Sequence, residues 1–232
     1  MKNIVIIGGS HGIGLSLVKE LEGNHNVFVA SRTNENLNGL NVTHIPFDVL
    51  TDTLDASQLP EQIDGFVYCP GSINLRPFKG LKVESFEQDM QINFFGAVKT
   101  IQTILPQLTA AGQSSVVLFS SVAASMGMPF HTSIAAAKGA VEGFAKALAA
   151  EYASKIRVNV IAPSLTQTPL ADKFLNNETK QEKASERHPM KRFGQPEDLS
   201  KMAVFLLNDS SSWMTGQVLH VDGGMSTLLV NG

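Results

Sequence analysis

Near the start of the chain, Ile4-Val5-Ile6-Ile7 runs directly into Gly8-Gly9-Ser10-His11-Gly12-Ile13-Gly14, and an amphipathic segment over 15–21 follows at once. The four apolar residues read as a short strand buried on both faces, the glycines as a tight turn, and the next segment as a helix. That order has a physical use. Glycines let backbone N–H groups approach a pyrophosphate and let the helix settle against its strand, while the helix N-terminus favours negative charge. The spacing Gly8-x-x-x-Gly12-x-Gly14 departs from the common G-x-G-x-x-G fingerprint of dinucleotide sites.

Outward from this unit, apolar runs of strand length recur at 27–30, 44–47, 65–69, 115–119, 157–161 and 217–221, making seven with the first. Their hydrophobicity is continuous rather than alternating, and the segments between them are long enough for right-handed crossovers. A doubly wound parallel sheet of seven strands in a three-layer α/β/α arrangement is expected, as one domain over residues 1–232. Residues 83–108, interrupted at Gly96 and carrying Pro106 near the end, and the alanine-rich 135–154 read as long helices. The Asn- and Gly-rich stretch 33–42 leaves room for barely two helical turns. The polar, mixed-charge stretch 169–188 reads as a lid or loop-helix insertion, giving a substrate loop at about 169–190.

Bulk composition narrows the function classes. A net charge of −3 with no basic block argues against nucleic acid and against a polybasic membrane-surface segment, which leaves a small molecule or another copy of the chain as partner. Cys69 is the only cysteine, and no Cys/His cluster has zinc spacing, so neither a disulfide framework nor a metal site is indicated and a cytoplasmic location is expected. The first apolar stretch is too short for a signal peptide or a membrane span.

The end of the second strand bears on the choice of nucleotide. An acidic side chain there would accept hydrogen bonds from a ribose 2′-hydroxyl and repel a 2′-phosphate, but this chain has Ser31 and Arg32. A guanidinium binds phosphate through charge-assisted bonds and the Ser31 hydroxyl adds a donor, so NADP(H) is expected over NAD(H).

The motifs in this order resemble the short-chain dehydrogenase/reductase family along the whole chain. The glycine turn has that family's spacing, and the resemblance implies a Rossmann-type fold with Gly8, Ser10, His11, Gly12, Ile13 and Gly14 at the dinucleotide. Asp48-Val49 stands at the adenine-contacting position, and Gly71 closes Tyr68-Cys69-Pro70-Gly71 where the family usually shows Asn-Asn-Ala-Gly. Asn93 is similar to the family's helix asparagine, Ser121 to its serine and Lys138 to its lysine. Pro163 and Thr168 resemble its proline-glycine stretch, with Ser164 in place of the glycine. The segments 192–198 and 216–224 complete the match.

In that family a tyrosine four residues before the lysine donates the proton as hydride arrives. Here the position is Ile134, whose aliphatic side chain neither donates a proton nor polarises a carbonyl. His131, three residues upstream in the loop expected to border the substrate, is the substitute candidate for the acid. Two functions follow. One is an NADP(H)-dependent oxidoreductase for a carbonyl or alcohol using Ser121, Lys138, Asn93 and His131 or water; the other is a catalytically silent NADP(H)-binding protein, a redox sensor or structural subunit. The resemblance also implies a homo-oligomer, dimer or tetramer, with contacts on the helices from Val83 and Ala135 and on the last strand.

Overall fold

Val5 and Ile7 of the first strand face one side of the sheet, Ile4 and Ile6 the other, and all four are buried. The computed structural model describes residues 1–229. In chain order the elements are β1 (Asn3–Ile7), α1 (Gly12–Leu21), β2 (Asn26–Ser31), β3 (Val42–Pro46), β4 (Gly65–Tyr68), α2 (Val83–Met90), α3 (Gly96–Ala110), β5 (Ser114–Phe119), α4 (Thr132–Tyr152), β6 (Ile156–Pro163), α5 (Asp172–Leu175), α6 (Glu178–Glu186), α7 (Pro196–Leu207) and β7 (Val218–Val221). All seven expected strands form, and they pair in parallel in the order β3-β2-β1-β4-β5-β6-β7.

Strand alternation divides the core in two. Val5, Ile7, Phe66, Leu118 and Val160 meet Ile101, Ile104 and Leu108 of α3 and Val141 and Ala145 of α4. Ile4, Ile6, Val67, Val117 and Ile161 meet Leu17 and Leu21 of α1 and Leu199, Ala203 and Leu206 of α7. The three-layer α/β/α arrangement follows, because each strand buries both faces and needs a helix on each. Strand order reverses between β1 and β4, so the loops after them diverge and leave a crevice at their carboxyl ends.

The expected helix over 83–108 forms as α2 and α3 with a π turn, Gln91–Phe95, between them. Tyr68 accounts for the position of this turn: its hydroxyl donates to the Ile92 carbonyl at 2.6 Å. A Cβ on Gly96 would lie 2.2 Å from that same hydroxyl oxygen and 2.2 Å from Val49 Cγ2, so only glycine lets the chain pass. Residues 33–42 hold a single 3₁₀ turn, Glu35–Leu37. The stretch 169–188 is a helical insertion, a 3₁₀ turn at Pro169–Ala171 followed by α5 and α6. Among the described residues no helix is long and apolar enough to cross a membrane, and no group of three or more His, Cys, Asp or Glu is placed to hold a metal ion.

Candidate active site

The crevice at the switch in strand order opens into a cavity of about 590 Å³. At one wall lies the glycine turn. Gly8 and Gly12 have φ of +77° and +53°, and a Cβ on Gly14 would fall 2.3 Å from the Gly8 carbonyl oxygen. The turn therefore closes tightly enough to aim the start of α1 into the cavity. His11 caps that helix in an extended conformation without a side-chain cap bond, so the N–H groups at Gly12, Ile13 and Gly14 keep no partner within the helix. All three residues line the cavity, as do Ser10 and His11, and this cradle of N–H groups at a helix N-terminus suits a phosphate. The His11 ring reaches Ser10 Oγ at 3.0 Å, and Ser10 Oγ lies 3.2 Å from Thr33 Oγ1.

Ser31, Arg32, Asp48 and Val49 line the same cavity, with Thr33 and Leu50, which the sequence reading missed. One expectation needs correction. The Ser31 hydroxyl donates its single proton to the Thr33 carbonyl at 2.8 Å, so Ser31 shapes this loop and offers no free donor to a ligand. Arg32 is exposed and has no carboxylate partner among the described residues.

Beyond the glycine turn the cavity is lined by Gly71, Ser72, Ser121, Ile134, Lys138, Pro163 and Thr168. Ser121 caps the 3₁₀ turn Val122–Ala124, where its oxygen accepts the Ala123 N–H at 3.2 Å and its own proton stays free for another acceptor. Ile134 is 4% exposed, on the first turn of α4. One turn on, Lys138 donates to the Phe119 carbonyl at 2.8 Å. Burial lowers its ammonium to about 8, against the opposing pull of Cys69 and Asp89.

That depression has a definite sign. Between about 8 and the ordinary lysine value the unfolded chain holds more protons than the folded one, so Lys138 makes stability rise with pH across that window. Binding that uses the ammonium runs the opposite way. Calorimetry on either side of that value is expected to show nucleotide affinity falling as pH rises through about 8. Lys138→Met is expected to be weak at every pH; a wild-type affinity flat across the range would remove the ammonium from the binding site.

Two expected residues do not line the cavity. Asn93 sits behind Ser72, 1% exposed in the π turn, donating to Ser72 Oγ and to the Asp89 carbonyl, each at 2.8 Å. Asp89, which the sequence reading missed, is fully buried, and its Oδ1 accepts from Ser72 Oγ at 2.5 Å and from Asn74 Nδ2 at 2.9 Å. Its place one helical turn before Asn93 was the available signal. Asp89 Oδ2 and Asn93 Oδ1 have no partner, so this cluster retains two buried acceptors beside Gly71, where a Cβ would lie 3.3 Å from Asn93 Oδ1 and 3.8 Å from Lys138 Nζ. His131 lies outside the lining, with its Nδ1 2.7 Å from the Pro129 carbonyl oxygen at the start of α4. Sequence proximity to Ile134 did not bring its ring into the cavity.

Residues 47–226 match the family model described as Enoyl-(Acyl carrier protein) reductase. The chain is 32% identical over 249 residues to a tropinone reductase homolog of Arabidopsis thaliana, covering 100% of this chain and 92% of that protein. Among solved structures, a short-chain type dehydrogenase/reductase from Mycobacterium ulcerans has a TM-score of 0.89 at 28% identity, covering 97% of this chain and 90% of that one. A gluconate 5-dehydrogenase from Burkholderia cenocepacia J2315, in complex with NADP and tartrate, has a TM-score of 0.88 at 25% identity, covering 98% and 96%. Fold and cleft are those of an α/β oxidoreductase with its site at the carboxyl ends of the strands. The chain belongs to the short-chain dehydrogenase/reductase family.

Proposed function

We propose that this protein is an NADP(H)-dependent oxidoreductase for a small carbonyl or alcohol substrate, with an active site in which Ile134 stands at the family's tyrosine position. The observation that carries the reading is one cavity lined by the glycine turn, Arg32, Ser121 and Lys138 together. The residues present fit the dinucleotide. Gly8, Ser10, His11, Gly12, Ile13 and Gly14 would hold its diphosphate, Arg32 its 2′-phosphate, and Asp48 and Val49 its adenine, with Gly71, Pro163 and Thr168 lining the remainder. The similar gluconate 5-dehydrogenase structure with bound NADP supports NADP(H) as the dinucleotide.

When bound, the nicotinamide supplies or accepts the hydride. Ser121, with its free hydroxyl proton, holds the substrate oxygen. Lys138 would hold the nicotinamide-ribose hydroxyls, and Asn93 acts from behind by fixing Ser72. Ile134 supplies shape but no proton. We read the chain as a single cytoplasmic domain with 169–190 as its substrate loop, assembling as a homo-oligomer; Val83 and Phe95, apolar and exposed at 70% and 39%, support contacts on the α2 side.

Ile134 is also the observation that favours the second reading, a silent NADP(H)-binding redox sensor or structural subunit. Ile134→Tyr separates the two. With NADPH and a panel of carbonyl compounds, the oxidoreductase reading expects measurable wild-type turnover and a rise on the order of 10²-fold in the variant. Wild-type turnover no faster than buffer would leave the silent binder in possession.

A further inference from the structure

Ile134 and Ser164 are among the cavity-lining positions where the chain departs from the family pattern, and Ser164 places a hydroxyl where the family has a glycine. Ser164 is half-buried, with its Oγ 2.8 Å from His188 Nε2 and 3.3 Å from the Asp222 carbonyl oxygen. His188 is 2% exposed, and its Nδ1 lies 2.6 Å from the Ala184 carbonyl oxygen. A carbonyl oxygen only accepts, so Nδ1 carries the hydrogen. In the neutral ring Nε2 then holds the lone pair, and the single Ser164 proton, which faces Nε2 at 2.8 Å and the Asp222 carbonyl at 3.3 Å, goes to the nearer acceptor, Nε2. A hydroxyl bonded to an imidazole whose far nitrogen is fixed by a third group is the arrangement that activates an oxygen for proton transfer.

The ring is held on more than one side. A Cβ on Gly223 would lie 3.7 Å from His188 Cδ2, the Met190 N–H donates to the Gly223 carbonyl at 3.2 Å, and the Lys191 N–H donates to the His188 carbonyl at 2.8 Å. Such anchoring alone would make a strut between the helical insertion and the ends of β6 and β7. What exceeds a strut is that the bonded hydroxyl belongs to a residue lining the cavity that also holds Ser121, Lys138 and Ile134.

We infer that Ser164, backed by His188, is the proton relay of this cavity and serves the substrate oxygen that Ile134 cannot serve. The inference rests on the oxidoreductase reading. In alcohol oxidation the substrate O–H bond breaks and its proton joins Ser164 Oγ, while the proton already on Ser164 passes to His188 Nε2. The substrate C–H bond breaks with its electron pair, and the hydride goes to the oxidised nicotinamide dinucleotide. The products are a carbonyl, the reduced dinucleotide and an imidazolium; reduction moves each atom back. His188 acts only through Ser164 and is a positioning residue. Of the charged groups around it, Asp222 has its carboxyl engaged by the N–H groups of Gly224 and Ser226, and Glu186, Arg187 and Lys191 are exposed.

Three measurements on the full chain test the relay and separate it from the reading beneath it. Calorimetry with NADP(H) is expected to give equal affinity for wild type, Ser164→Ala and His188→Gln; a wild type that takes up no dinucleotide defeats the oxidoreductase reading itself. Nitrogen-15 NMR of labelled histidine is expected to show His188 protonated on Nδ1, with an Nε2 resonance that moves in Ser164→Ala. An Nε2-protonated ring, or a signal indifferent to Ser164→Ala, overturns the relay even where dinucleotide binds. With the best substrate of a carbonyl and alcohol panel, kcat/KM is expected to fall on the order of 10²-fold in both variants. Adding Ile134→Tyr to Ser164→Ala should restore turnover. Should His188→Gln fail to fold, Ser164→Gly leaves the ring in place and keeps the comparison. A Ser164→Ala protein with wild-type rate, or a wild type that binds NADP(H) and turns over nothing in the panel, overturns the proposal.

Discussion

Arg32→Asp is expected to lose NADPH affinity by about 10²-fold and to gain NADH affinity, so that the preferred nucleotide reverses. The guanidinium is exposed and free of any carboxylate partner among the described residues, so it is available to a phosphate. Charge-assisted hydrogen bonds contribute about 1.5–3 kcal/mol each, and solvent screening at an exposed residue keeps the total near the lower part of what two such bonds would give. A carboxylate in the same place repels the phosphate and accepts from a ribose hydroxyl instead. Because the interaction is exposed, the wild-type preference should also shrink as salt is raised. Calorimetry with both nucleotides at two ionic strengths checks each part. Equal loss for both nucleotides would mean that Arg32 serves the fold of the loop rather than the phosphate.

Gly14→Ala is expected to abolish dinucleotide binding, with a loss beyond about 10²-fold, and to destabilise the chain by about 1–3 kcal/mol. The added Cβ would lie 2.3 Å from a backbone oxygen, that of Gly8, and 3.0 Å from Gly9 Cα. Backbone cannot step aside as a flexible side chain can, so α1 must move off the turn and its N–H groups leave the cradle. Gly23→Ala is the control: a Cβ at Gly23, just past the end of α1, meets nothing within 4 Å. Dinucleotide titration and urea unfolding of the two variants should therefore diverge. A Gly14→Ala protein that binds like wild type would show that the cradle is wider than its geometry.

Much of this was legible without coordinates. The seven apolar runs became seven parallel strands because continuous hydrophobicity and long crossovers are properties of local sequence. The glycine turn was legible for the same reason, since Gly8 and Gly12 take positive φ and Gly14 has no room for a Cβ. Residues assigned through family motifs also fell mostly on the cavity. His131 did not: three residues of sequence separation from Ile134 said nothing about which way its ring would turn. Ser31 was misjudged because a hydroxyl has one proton, and only the structure shows that Thr33 takes it.

By itself the sequence determined the layered sheet, the glycine cradle and the absence of a phenol at position 134, because periodicity, glycine demands and side-chain chemistry are carried by neighbours along the chain. The tertiary structure alone decided which acid or base stands behind which hydroxyl. Ser72 meets Asp89 across 17 residues and Ser164 meets His188 across 24, in both cases because packing of a distant helix or turn against a strand end brings them within hydrogen-bond reach.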